Sequence, residues 1–303
     1  ALDAYRMSAN NDAALAIIEK DAGNLLSAIA PEDLLQRLDA CPAEVLMRHP
    51  TALLVLMRRL FTWRQIPKML QMKALLTRAI AESPDMTAEE RGNLLGECDL
   101  IMSFLSYNDI TEMSRLHRSA SRQMTRPAVT IQAGSWTFGS PSVLMMYYRA
   151  PGELQKELHE MNECMPHYYR ITNGHGLGAE LVMAAEASFM QGRLHETEIG
   201  LERARTKIAG SGQENMALCC DFLQLRLRLA AGKGRLLDME SRKQSLQARH
   251  DVVLLNMLDA IYAYYYALLQ DTARVPEVFR LHRLDTVNYV APGRPMMELT
   301  QNQ

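Results

Sequence analysis

Short breakers recur along this sequence at nearly constant intervals, and that regularity restricts the fold more than any other feature. They fall near Arg64, Asn108, Pro151, Gly192, Gly232 and Asp271, 39 to 44 residues apart. Between them, apolar residues step by three or four, the spacing that keeps side chains on one face of a 3.6-residue helix. The pattern predicts an array of helical hairpins. A hairpin of this size has an apolar face too large to bury alone, so neighbours must stack. The expected fold is an all-α, tetratricopeptide-like solenoid with a period of about 40 residues, spanning 1–303 as one repeat domain.

The clearest unit runs from Gly178 to Ala209. Leu181, Ala184, Ala185 and Phe189 mark one stripe, Gly192 ends the helix, and Leu194, Thr197, Leu201, Ala204 and Ile208 mark the next. Small Ala185 and Ala204 suit helix-helix contact points. A second unit reads Leu218, Phe222, Leu225 and Leu229, then Gly232-Lys233-Gly234, then Leu236, Met239 and Leu246. A third opens with Leu254, Met257, Leu258, Ile261, Tyr265 and Leu268 and resumes near Pro276, where a missing amide proton costs nothing in a first turn. Earlier hairpins pair Leu53 to Leu60 with Ile66 to Ile80, and Leu94 to Leu105 with Ile110 to Arg122. Only 128–137 looks β-like, and one such run cannot make a sheet. The period exceeds the 34 residues of standard tetratricopeptide repeats, which implies longer helices or loops, and the full signature with Trp, Leu-Gly and Tyr is missing, so the repeat is degenerate.

Composition narrows the function classes. Of 303 residues, 48% are hydrophobic and 22% charged, which excludes disorder. Lys and Arg number 33 against 35 Asp and Glu, so no global charge draws the chain to phosphate backbones or anionic membranes. Neither direct nucleic-acid binding nor membrane attachment is expected. The five cysteines form an odd set without a C-x-x-C, which fits a reducing, cytoplasmic setting. The N-terminal residues show no signal-peptide pattern, and the chain is expected to be a piece of something longer.

Catalytic and cofactor spacings fail. Gly174-His-Gly176-Leu-Gly178-Ala179 satisfies G-x-G-x-x-A, but a dinucleotide fingerprint needs a preceding strand, and Met161 to Ile171 reads as helix. Gly232-Lys233-Gly234 lacks the spaced glycine and the hydroxyl residue of a phosphate loop. His195-Glu196 and His159-Glu160 lack the second histidine that zinc needs on one helical face. No catalytic residue, metal or cofactor is expected in this chain.

Two features stand between bland and functional readings. Arg115, Arg118, Arg122 and Arg126 recur at helical spacing, either as a solvated face or as a docking surface for an acidic partner, phosphate or nucleotide. Trp136, Tyr147, Tyr148, Tyr168, Tyr169, Arg170, Asn173 and His175 form a polar-aromatic belt. Rings that cover apolar faces beside fixed donors and acceptors suit a sugar or another small polar ligand. The same rings could instead fill gaps between helices with their polar tips wet.

The residues of the belt and its flanks carry a resemblance. Phe138-Gly-Ser-Pro-Ser-Val-Leu144, Pro151-Gly-Glu-Leu154, Met165-Pro-His-Tyr-Tyr169, Thr172-Asn-Gly-His-Gly176 and Gly178-Ala-Glu180 resemble the central repeat region of large LuxR-type transcriptional regulators of the MalT-like class. The likeness is specific from about Phe138 to Gly192 and looser on both sides; Arg48-His-Pro-Thr-Ala-Leu53 fits more weakly. It implies a cytoplasmic signal-transduction ATPase with an N-terminal nucleotide-binding module, this repeat region as sensor, and a C-terminal helix-turn-helix. In such a parent ATP belongs to the missing N-terminal module, and promoter contact to the helix-turn-helix. The repeats would receive an effector or a protein partner, contact their sibling domains and promote self-association. A scaffold without a small-molecule ligand is the alternative, and a helical-repeat enzyme ranks last.

Overall fold

The computed structural model describes residues 10–106, 109–131, 136, 137, 139–147, 151–233 and 240–280. The chain is all-α, with adjacent helices packed in pairs and no strand among the described residues. Its helices are α1 (Asn11–Asp21), α2 (Pro31–Ala40), α3 (Ala43–Met47), α4 (Pro50–Thr62), α5 (Ile66–Glu82), α6 (Ala88–Ser103), α7 (Ile110–Gln123) and α8 (Val143–Tyr147). After them come α9 (Leu154–Ile171), α10 (Ala179–Met190), α11 (Leu194–Ile208), α12 (Glu214–Ala230), α13 (Glu240–Ala248), α14 (Val252–Leu268) and α15 (Glu277–Arg280). Leu236 and Met239 lie outside the described residues, as does the breaker Asn108.

Six helices end in the same way. Arg64, Asn173, Gly192, Gly232, His250 and Gln270 all take the left-handed conformation, with φ between 54 and 73°. The next amide in each case reaches back five residues: Gln65 to Leu60, Gly174 to Tyr169, Arg193 to Ser188, Lys233 to Arg228, Asp251 to Leu246 and Asp271 to Tyr266, at 2.8–3.1 Å. This closure satisfies carbonyls that the helix end would otherwise orphan. Helix starts are equally local. Pro31 and Pro50 open α2 and α4, and Thr87 with Glu90 forms a reciprocal capping box on α6.

Contacts divide the described residues into two compact units, one drawn from 1–106, 115–132 and 170–173, the other from 107–114, 133–169 and 174 onward. In the first, α4 is central and touches α1, α3, α5 and α6. Its Leu53, Leu54, Leu56, Met57 and Leu60 are fully buried, each contributing about 1.5–3 kcal/mol relative to exposure. In the second, α10 holds that place against α8, α11 and α12. Because α10 is covered on several sides, its buried residues are Ala179, Glu180, Val182, Met183, Ala185, Glu186 and Ala187. The stripe through Ala184 is corrected: Ala184 is exposed, as are Leu194 and Leu268, while Thr197, Leu201, Ala204 and Ile208 are buried as read. Ala185 meets a residue that the periodicity does not mark, Gly200, where an added Cβ would sit 3.0 Å from the Ala185 Cβ.

The β-like stretch is no strand where it is described. Ala128 donates one backbone hydrogen bond, to the Ile171 carbonyl at 2.7 Å. All five cysteines are free thiols, and no described helix is long and apolar enough to cross a membrane.

Candidate functional site

The last turn of α9 and the glycine-rich turn that follows carry most of the aromatic belt. Trp136, Tyr147 and Tyr168 are buried and the indole meets both tyrosines, with ring centroids 5.2 Å apart for Trp136–Tyr147 and 6.4 Å, edge to face, for Trp136–Tyr168. The Tyr168 hydroxyl shares a 2.8 Å hydrogen bond with His175 Nδ1. These rings fill the space between helices, the arrangement in which an aromatic body is packed and its polar tip is satisfied.

Gly176 explains how the turn approaches so closely. At φ +74° an added Cβ would lie 2.4 Å from Trp136 Cγ, so both the conformation and the indole exclude a side chain. Gly178, at φ +92°, is confined the same way by Ile208 Cγ1 at 2.8 Å. The three glycine amides of G-x-G-x-x-A are spent: Gly174 on the Tyr169 carbonyl (2.9 Å), Gly176 on Gln213 Oε1 (2.8 Å), Gly178 on the Tyr169 hydroxyl (2.9 Å). The motif is a locked helix-to-helix turn.

Tyr169 faces a different group from its neighbour. Its hydroxyl donates to Glu180, which also accepts from Lys207 Nζ at 2.5 Å, and Lys207 stands 5.2 Å from the Tyr169 ring centroid. Burial and then the Glu180 carboxylate push the phenol far above its usual value, so it stays a donor. Arg170 instead grips Ser121 Oγ with two nitrogens, at 3.0 and 2.7 Å, and the Met124 carbonyl at 3.4 Å. Asn173 is exposed, and Tyr148 lies outside the described residues. The belt is thus brought together as Trp136, Tyr147, Tyr168 and His175, while Tyr169 and Arg170 serve separate networks.

Arg115, Arg118 and Arg122 lie on α7, with Arg115 and Arg122 exposed. Arg126 is corrected: it lies past the helix end at Gln123, so it cannot continue the face. Its guanidinium pairs with Glu97 at 3.2 Å and donates to the Pro127 carbonyl at 2.9 Å.

Glu97 is one of two wholly buried glutamates that sequence reasoning missed. It accepts the Thr130 amide at 2.7 Å. The other, Glu186, accepts the amides of Val143 and Leu144, each at 2.9 Å, and so caps α8 from across the unit. Buried Arg226 lies 3.8 Å from Glu186, over the rings of Phe189 (4.5 Å) and Phe222 (5.5 Å). Glu186 amid the small apolar residues of α10 was the only available signal, and it cannot be told from an exposed acid without knowing which helices cover that side of α10. No group of three or more metal-ligating side chains occurs among the described residues. No protein-family model, curated protein or solved structure matches the chain.

Proposed function

We propose that this chain is the sensor and interaction segment of a LuxR-type, MalT-like transcriptional regulator. Its helical hairpins stack into a solenoid of about 40-residue period that receives an effector or partner and couples it to DNA binding by another domain. Parent and repeats work in the cytoplasm. ATP is held by the parent's N-terminal module, and no step in this segment is catalytic. The observation that carries this reading is the turn from Asn173 to Gly178: the residues of the resemblance are those that Gly176, Gly178 and Tyr169 use to join α9 to α10. A ligand acts in such a segment only through unequal affinity for resting and assembled states. Since the glycine turn is packed against Trp136, rearrangement of the hairpins passes through this contact.

A second reading, a protein-interaction scaffold without a small-molecule ligand, is favoured by one observation. Trp136, Tyr147 and Tyr168 are occupied by each other and leave their faces to no ligand. A thermal-shift screen of sugars, amino acids and nucleotides separates the two. A ligand at 100 times its Kd adds about 2.7 kcal/mol of stability. Uniform silence would favour the scaffold, and an unchanged transcriptional response of the parent after substitution of Tyr168 and Tyr169 would remove the belt from the sensing path.

A further inference from the structure

A groove of about 340 Å³ opens among α11, α12 and α13, apart from the aromatic belt. Its size falls within the range of small-molecule sites. Ile208, Ala217 and Cys220 supply an apolar wall, and Arg205, Asp221 and Arg242 supply the charge. Asp221 bridges the two cations: Oδ1 accepts from Arg205 at 3.0 Å and Oδ2 from Arg242. Glu214, the other lining carboxylate, is held by Arg249 through both oxygens, at 3.1 and 2.6 Å.

The hydrogen-bonding capacity of this groove is lopsided. Both acids have both oxygens engaged, whereas each lining guanidinium gives one nitrogen to Asp221 out of a fork of five N–H donors. The start of the 17-residue α12 adds to the imbalance. Gln213 stands at its N-cap without a side-chain cap, because its amide oxygen is taken by the Gly176 amide. Donors in excess, at the positive end of a helix and beside an apolar wall, match an acceptor-rich ligand.

We infer that this groove binds a small organic acid, a carboxylate or phosphate monoester with an apolar body, whose anionic group is held between Arg205 and Arg242. The inference rests on the proposed sensing role only in calling that ligand an effector. Binding to this chain is read whether or not it alters the parent's response to DNA, so the groove and the regulator reading fail separately.

Isothermal titration of the 303-residue chain with benzoate and phenyl phosphate, and with neutral benzamide, tests the site. Both source chemistries are covered, and the tighter of the two acids names the class. At least one acid is expected to bind and benzamide to be silent. Arg205→Gln and Arg242→Gln should each weaken binding about 10-fold, the scale of one charge-assisted contact. Asp221→Asn, which removes a competing anion, should leave affinity equal or tighter, a direction that unfolding cannot mimic. Ala217→Leu blocks the groove without touching a charge and should abolish binding with the melting temperature retained. The proposal is overturned if neither acid binds, if benzamide binds as well as the acids, if affinity is unchanged in both arginine variants, or if Asp221→Asn loses as much as they do.

Discussion

Glu97 and Glu186 solve one problem in two units of the molecule. Each is a wholly buried carboxylate that accepts backbone amides from a segment outside its own helix, Thr130 for Glu97 and Val143 with Leu144 for Glu186. They differ in the cation. Arg126 is 38% exposed and bonds Glu97 at 3.2 Å, whereas Arg226 is 4% exposed, 3.8 Å from Glu186, and leaves its Nε and Glu186 Oε1 without hydrogen-bond partners. Around Arg226 two phenyl rings and the Met190 sulfur, 3.0 Å from its terminal nitrogen, replace water. One staple is partly hydrated and the other is dry. A dry charge depends on its partner far more than a wet one, because nothing else compensates it.

The largest expected effect follows directly. Arg226→Met strands Glu186 in the interior and should lower unfolding stability by about 3–5 kcal/mol, read from urea denaturation. Arg126→Met should cost only about 1–2 kcal/mol, since water can reach the vacated side of Glu97. Equal losses would break the comparison. The arginine stripe sharpens it: Arg122→Gln, on the exposed face of α7, should stay within about 0.5 kcal/mol by the same assay. A loss there as large as for Arg126 would mean that the stripe has a structural partner.

The pH dependence of the two acids has a fixed sign. Burial pushes both carboxyls above the ordinary value of 4.5, against the pull of their amide donors and arginines. A group raised on folding favours the native state fully below its unfolded value, and that contribution is lost as pH climbs through the folded value. Glutamine mimics the protonated form, so the native chain should lose stability relative to Glu97→Gln as pH rises above the ordinary value of 4.5. Glu186→Gln should follow the same direction. Denaturation midpoints over a pH series check both, and a native chain that gained stability relative to its glutamine variants as pH rose would refute the sign. The helix ends give modest effects of opposite sign: Gln270→Gly should stabilise by about 0.5–1 kcal/mol, whereas Gly192→Ala should cost about 1 kcal/mol, both seen as shifts in melting temperature.

Much of the hairpin order was legible because its signals are local. Gly192 and Gly232 end helices by their own conformational freedom, and Thr197, Leu201, Ala204 and Ile208 face inward by spacing alone. Ala184 was misread because a single stripe assumes a single partner, and α10 packs against α8, α11 and α12. The candidate belt was legible as a cluster of rings but not as a site. Whether Tyr168 packs on Trp136 or faces a ligand depends on contacts 32 residues away in sequence. Arg126 was assigned to a helix that stops three residues short of it.

The sequence by itself determined the all-α class, most turn positions and the glycines of the Asn173 to Gly178 turn, since each depends on backbone preference and periodicity within a few residues. Only the tertiary structure decided that Glu97 and Glu186 are buried, that Arg126 and Arg226 answer them, and that Arg205 and Arg242 converge on Asp221. Those outcomes depend on which helix covers which, and burial, unlike helical phase, is a property of the neighbours rather than of the residue.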